Sequence, residues 1–228
     1  MKRIAIIPAR SGSKRIPEKN IRVFIDKPIL AFSIENAIKS ELFDEVMVST
    51  DSEKVAEIAK KYGSNIPFYR SPETSDDHTG LFEVLKEVIN EYKKADEELE
   101  EVCLILATAP FVDEKLLKDS YDIFSKNGYD SLFPVVKFSY PIYRALEIKE
   151  EKINMIWPEN LNLRSQDLPE AYHDAGLFYW IRVSEIMKKN TIFTDNSFGY
   201  EISEMVAQDI DTEEDWKIAE FKYRFLKK

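Results

Sequence analysis

Cysteine occurs once in 228 residues, at Cys103, so the chain can form no internal disulfide and cannot build a zinc site from several thiolates. Cys103 sits in an apolar run, VCLILA, and reads as a packed core residue. Long apolar runs are also missing. None approaches the roughly 20 residues needed to span a bilayer, and the N-terminal apolar stretch is shorter than a signal-peptide core. A cytoplasmic protein with no membrane partner is expected. Positive charge is in deficit, with 32 Lys+Arg against 42 Asp+Glu and a formal net charge of -10. That balance lacks the basic face of a nucleic-acid binder, so no nucleic-acid partner is expected. Two glycine-rich phosphate loops are absent too. A Walker A loop needs a glycine directly before its Lys-Ser/Thr pair, whereas Lys14 follows Ser13 and precedes Arg15. The dinucleotide fingerprint needs three glycines, and this loop has only Gly12, which leaves an NAD-dependent dehydrogenase using Asp51 at a ribose without its fingerprint.

What is present gathers in the first twenty residues, MKRIAIIPARSGSKRIPEKN. Arg3 to Pro8 read as a buried strand, because an apolar run this short, bounded by Pro8 and then Ser11, Gly12 and Ser13, does not make a helix. Arg10, Lys14, Arg15 and Lys19 follow, ending at Asn20. Cations concentrated in an acidic chain at a strand exit can form an anion site with the free backbone N–H groups of the loop. They can equally be a solvated surface loop.

The remaining chain alternates strand, loop and helix, with 44% hydrophobic residues to supply a core. Pro28 to Ser40 reads as an amphipathic helix, Glu45 to Ser49 as a strand, and Ser52 starts a helix that Gly63 closes. Ile66 to Arg70 is a short strand candidate, followed by a helix from about Leu81 to Lys94. Val102 to Ala107, wholly apolar, is expected in the centre of the sheet. Asp113 to Asn127 reads as a helix closed by Gly128, with strands at Ser131 to Phe138 and Gly176 to Ile181. This is the pattern of an α/β fold with a mostly parallel sheet flanked by helices, whose ligands bind beyond the carboxyl ends of the strands. Arg10 and Asp51 are therefore expected on one edge. From Tyr140 to Tyr172 the pattern loosens around Pro141, Pro158 and Pro169, with exposed-looking aromatics at Tyr140, Tyr143 and Trp157. His78, one histidine among carboxylates, is a weak metal signal.

Near the C-terminus, Thr212 and Asp215 fit a capping box that begins the last helix. Asp209 and Asp211 need no such explanation. In extended backbone they point the same way with Ile210 turned inward, an arrangement in which two carboxylates can share one hard cation.

The run IPARSGSKRIPEKN resembles the N-terminal motif of cytidylyltransferases that activate nine-carbon acidic sugars as CMP conjugates, and it is most similar to the pseudaminic acid branch. STD at Ser49 to Asp51, ATAPF at Ala107 to Phe111, RSQDL at Arg164 to Leu168, YHDAG at Tyr172 to Gly176 and QDIDTEEDW at Gln208 to Trp216 fall in the order of that family. The resemblance implies a Rossmann-like nucleotide-diphospho-sugar transferase fold. One nucleotidyltransferase domain would cover 1–228, with a dimerisation arm at 140–172 that makes a homodimer. It implies CTP and an acidic sugar as substrates and Mg²⁺ as cofactor. The implied nucleotide site is Ala9, Arg10, Ser11, Gly12, Ser13, Lys14, Lys19 and Asn20, with Arg70 near the base. By the same resemblance Arg10, Lys14, Lys19 and Asp211 would carry catalysis, and Asp209 with Asp211 would hold the metal. Arg164, Gln166, Asp167, His173 and Asp174 approach the sugar. An arginine suits a sugar carboxylate through two parallel hydrogen bonds. His173 and Asp174 can also orient or deprotonate a hydroxyl, although adjacent strand residues point to opposite faces. Sialic acid relatives usually carry glutamine where Ala107 stands, and the pseudaminic branch has alanine. Alternatives are another acidic sugar (legionaminic acid, N-acetylneuraminic acid or 3-deoxy-manno-octulosonate) or a CTP-binding protein without turnover.

Overall fold

The computed structural model describes residues 2–76 and 79–227; His78 lies outside the described residues. In chain order the elements are β1 (Lys2–Pro8), β2 (Val23–Phe24), β3 (Lys27–Pro28), α1 (Ile29–Ser40), β4 (Glu45–Ser49), α2 (Glu53–Lys61), α3 (Leu81–Lys94) and β5 (Leu99–Ile105). There follow α4 (Glu114–Asn127), β6 (Ser131–Lys137), β7 (Leu146–Lys149), β8 (Lys152–Met155), β9 (Tyr172–Asp174), β10 (Phe178–Arg182), α5 (Val183–Lys189), β11 (Ser197–Glu201) and α6 (Glu213–Leu226).

The central sheet has the order β11-β6-β10-β5-β1-β4, with β9 added beside β6. β4 and β5 flank β1 in parallel, and β11 is parallel to β6. β10 is antiparallel to both β5 and β6, so β6 and β11 run with β1. The sheet is therefore mostly parallel, and β5 is central as its apolar sequence predicts. Alternation along β1 feeds two cores. Ala5 and Ile7 pack with Leu30 and Ile34 of α1, while Ile4 and Ile6 pack with Leu85 and Val88 of α3. Cys103 is fully buried on the first of these faces.

Helix ends follow the sequence signals. The Ser52 hydroxyl accepts from the Val55 amide at 3.4 Å and the Asp113 carboxylate from the Leu116 amide at 2.8 Å. Gly128 ends α4 at φ 67°, a conformation that disfavours a side chain. Thr212 and Asp215 form the complete capping box of α6.

Three expectations are corrected. Ile66–Arg70 is not a strand. Pro67 has no N–H to donate, the neighbouring bridge among the described residues, between Asn65 and Met47, is isolated and falls just before the segment, and the Arg70 amide donates to the Thr50 carbonyl at 2.8 Å. Residues 140–172 are not wholly irregular, since β7 and β8 pair as an antiparallel ribbon. Within it Tyr140 is exposed, but Tyr143 and Trp157 are half-buried against each other with ring centroids 5.9 Å apart. The strand expected at Gly176 begins at Phe178, because Gly176 sits in a turn at φ 62°. The short elements β2, β3, β9, α5 and β11 have no counterpart in the sequence reading.

Candidate active site

β1 ends at Pro8, and the chain enters the cationic loop at the carboxyl edge of the sheet. Ala9 is buried beneath that loop and donates its amide to the Ser49 carbonyl at 2.9 Å. Ser11 turns to the end of β4, where its amide and hydroxyl donate to the two Asp51 carboxylate oxygens at 2.8 and 2.7 Å. The Asn20 amide side chain donates to the Arg10 carbonyl at 2.9 Å, closing the loop on itself. The decisive anchor is Ile16, which is fully buried in a third apolar cluster with Phe24, Phe111, Ile210 and Trp216. Ile210 lies between the two carboxylates near the C-terminus. One hydrophobic cluster thus joins segments almost two hundred residues apart, and Lys19 seals the junction. Its ammonium donates to the Ile210 carbonyl at 2.7 Å and lies 3.3 Å from Asp211 Oδ1.

These contacts shape a cleft of about 480 Å³. Arg10, Gly12, Ser13, Lys14, Lys19 and Asn20 line one side, Arg70 and Ala107 also line it, and Asp211 faces the cations. Arg15 lines the cleft as well and sits 2.9 Å from Asp211 Oδ2. Gly12 leaves room for the Arg10 guanidinium, since a Cβ there would stand 3.3 Å from Arg10 Nη1. Arg70 is buried, with its Nε donating to the Ser49 hydroxyl at 3.1 Å and Nη2 to the Ser49 carbonyl at 2.7 Å. Burial pulls its pKa down to about 10, opposed by Asp51 and Glu87 and reinforced by Arg10. It remains a cation at neutral pH.

Asp209 and Asp211 flank the fully buried Ile210. Asp211 reaches the cleft, and Asp209 lies beside Gly176, where an added Cβ would be 4.0 Å from Asp209 Cγ. Surrounding protein atoms, then the Asp211 charge, hold the Asp209 carboxyl above its ordinary pKa. Two crowded carboxylates with hard oxygen donors, one of them facing the cleft, fit a cation of the Mg²⁺ type. Among the described residues no three His, Cys, Asp or Glu side chains gather into a metal cage. The remaining ligands would therefore come from substrate oxygens or water.

The residues expected at the sugar are not in this cleft. His173 packs its ring on Phe138 at 5.0 Å, and Asp174 points the other way, accepting from the Gly176 amide at 2.8 Å and the Tyr179 hydroxyl at 2.6 Å. Opposite faces are what a strand imposes. Arg164, Gln166 and Asp167 are exposed around a single 3-10 turn of the arm, and Gln166 lines a separate groove of about 410 Å³ against the end of β6. Sequence reasoning missed the brace formed by Asp51 under Ser11 and the pairing of Arg15 with Asp211. Asp51 was placed on the correct edge by strand direction, but no local pattern identifies its partner.

The profile of the family described as cytidylyltransferase matches residues 4–223. The chain belongs to the cytidylyltransferase family. It is 40% identical over 225 residues to the pseudaminic acid cytidylyltransferase of Campylobacter jejuni, covering 98% of this chain and 97% of that protein. A Helicobacter pylori protein described as a pseudaminic acid cytidylyltransferase and UDP-2,4-diacetamido-2,4,6-trideoxy-beta-L-altropyranose hydrolase is 37% identical over 211 residues, covering 92% of this chain and 40% of that protein. The solved structure of a CMP:2-keto-3-deoxy-manno-octonic acid synthetase in complex with CTP superposes with a TM-score of 0.68 at 16% identity, covering 100% of this chain and 99% of that one. At that identity the likeness shows the fold alone, an α/β sheet with its loop edge toward the cleft.

Proposed function

We propose that this enzyme transfers CMP from CTP to pseudaminic acid, releasing pyrophosphate. The observation that carries the reading is the cleft in which a cationic loop faces Asp211 with Ala107 also in the lining. The near full-length similarity to a pseudaminic acid cytidylyltransferase supports the choice of sugar. In the reaction the anomeric hydroxyl oxygen attacks the α-phosphorus in line. The new O–P bond forms as the bond from the α-phosphorus to the oxygen bridging it to the β-phosphate breaks, the electron pair leaves with pyrophosphate, and the hydroxyl proton passes to water. No covalent enzyme nucleophile is needed.

Charge moves onto the leaving group, so catalysis rests on positioning and on fixed cations. Arg10 and Lys14 would hold the outer phosphates, with Gly12 and Ser13 allowing close approach of the backbone. Lys19, fixed by the Ile210 carbonyl, would place its charge between the nucleotide and Asp211. Arg70 would lie toward the base. Asp209 and Asp211 would hold Mg²⁺, which supplies a Lewis acid for the phosphate oxygens. Arg164, Gln166 and Asp167 of the arm are exposed and do not line this cleft, which fits an arm that would bring sugar-binding residues to the site of a second copy in a homodimer. No described helix is long and apolar enough to cross a membrane, and a cytoplasmic location is proposed with the soluble nucleotide substrate.

Pyrophosphate release from CTP with pseudaminic, legionaminic and N-acetylneuraminic acids and 3-deoxy-manno-octulosonate tests the reading. A kcat/KM for pseudaminic acid at least about tenfold above the others is expected. Binding of CTP without release on any sugar would leave a non-catalytic CTP-binding protein instead.

A further inference from the structure

We propose that Arg15 is a nucleotide-binding residue that Asp211 holds back, and that Arg15 moves to the outer phosphates when a divalent cation takes up that carboxylate. The inference rests on the CMP-transfer reading of the same cleft. Both oxygens of Asp211 are engaged by cations, Oδ1 by Lys19 at 3.3 Å and Oδ2 by Arg15 at 2.9 Å. The two partners are not equivalent. Lys19 has a second bond, to the Ile210 carbonyl at 2.7 Å, and its side chain is only 19% exposed. The Arg15 side chain is 67% exposed and among the described residues forms an ion pair with Asp211 alone, with the Asp215 charge nearby. Exposed single pairs of this kind are weak and screened by salt, so Arg15 is the partner that exchanges.

Its backbone, by contrast, is fixed. Ile16, the next residue, is fully buried in the apolar cluster that also holds Ile210. Arg15 can therefore pivot its long side chain without moving the loop, and it already lines the cleft beside Arg10, Lys14 and Lys19. Once Asp211 is committed to a cation, the guanidinium has a carboxylate removed and a triphosphate offered within the same cleft, for which its planar fork is suited. Cation and nucleotide binding are then linked through one side chain, and the linkage is reciprocal.

Calorimetric titrations of Arg15→Ala and the unsubstituted protein test this with three probes: Mg²⁺ alone, CTP in chelator, and CTP with saturating Mg²⁺. With the competing guanidinium gone, Mg²⁺ alone should bind Arg15→Ala about threefold or more tighter. Affinity for CTP in chelator should change less than about twofold, while affinity for CTP with Mg²⁺ falls about tenfold. Equal losses in the two CTP titrations would make Arg15 a fixed phosphate ligand or a loop brace, and unchanged Mg²⁺ affinity would remove the exchange; either overturns the proposal. Pyrophosphate release by the unsubstituted protein is measured in parallel, so failure of CMP transfer itself is seen separately from failure of the Arg15 exchange.

Discussion

Ile16→Ala perturbs the cationic loop without touching a charge. Ile16 is fully buried with Phe24, Ile29, Phe111, Ile210 and Trp216, so truncation removes buried methyl groups and leaves a cavity, at a cost of about 2–5 kcal/mol. In a domain of this size each kcal/mol corresponds to about 2–4 °C, so Tm should fall by about 4–20 °C. Ile29 is equally buried in the same cluster but belongs to α1 rather than to the loop. Ile29→Ala should therefore lose similar stability by differential scanning calorimetry and leave the nucleotide site in place. Only Ile16→Ala should also raise KM for CTP, by about tenfold or roughly 1.4 kcal/mol, because Lys19 and the Ile210 carbonyl lose their common register. Ile16→Val should cost about 0.5–1.5 kcal/mol and keep the nucleotide KM. If Ile16→Ala destabilises as Ile29→Ala does while KM for CTP stays within about twofold, the cluster does not hold the loop and the reasoning fails.

Lys14→Ala should lower kcat/KM for CTP about a hundredfold or more, on the scale of 2–4 kcal/mol lost with a preorganised donor; a drop below about fivefold would remove its phosphate role. Asp211→Ala should abolish most turnover at saturating Mg²⁺ with a Tm change of only a few degrees, since Arg15 is an exposed partner and Lys19 keeps its bond to the Ile210 carbonyl; near-normal turnover would count against the metal assignment. The β7–β8 ribbon aligns Leu146 with Met155 and Ile148 with Ile153, and Leu146, Ile148 and Ile153 are 59, 74 and 66% exposed. Two-fold pairing through this face is expected, so Ile148→Glu should convert a dimer to a monomer in light scattering, and a fully active monomer before substitution would refute it. Burial alone raises the Asp130 carboxyl, but hydrogen bonds from Lys189, Asn196 and Thr194 outweigh it and hold the pKa below the ordinary value. Its contribution to stability is present above pH ~4 and lost as pH falls through the depressed native value; Asp130→Asn should flatten that acid limb of the Tm profile.

Local signals carried most of the frame. Ser52, Asp113, Gly128 and the Thr212/Asp215 box each act through hydrogen bonds within a few residues, so their effect is written in short windows of sequence. The strand expected at Ile66–Arg70 failed because apolar character does not supply a partner, and Pro67 removes a ladder donor. α5 and β11 were missed because each is short and lies where no repeated apolar pattern reaches the length of a confident window. The same division applies to the cleft. Its cations and carboxylates are visible as residue types. The pairings Ser11 with Asp51, Arg15 with Asp211 and Ile16 with Ile210 join segments that only the folded sheet brings together.

The Tyr172–Gly176 segment shows how a residue can be noticed correctly for a reason that geometry revises. Asp174 attracts attention as a carboxylate beside a histidine, yet its two oxygens accept from the Gly176 amide and the Tyr179 hydroxyl. Burial, then the Asp174 charge, pushes the Tyr179 pKa up, which keeps that hydroxyl a donor. Asp174 is therefore first a brace for the turn in which Gly176 adopts φ 62°. That turn faces Asp209, with space for a Cβ at 4.0 Å from its Cγ. A methyl group at Gly176 would meet only ordinary contact, so the demand for glycine is conformational, on the order of 1–2 kcal/mol. The carboxylate next to His173 thus serves the Asp209 side of the cleft through backbone shape, whereas His173, on the opposite face of β9, is directed toward Phe138 and the root of the arm.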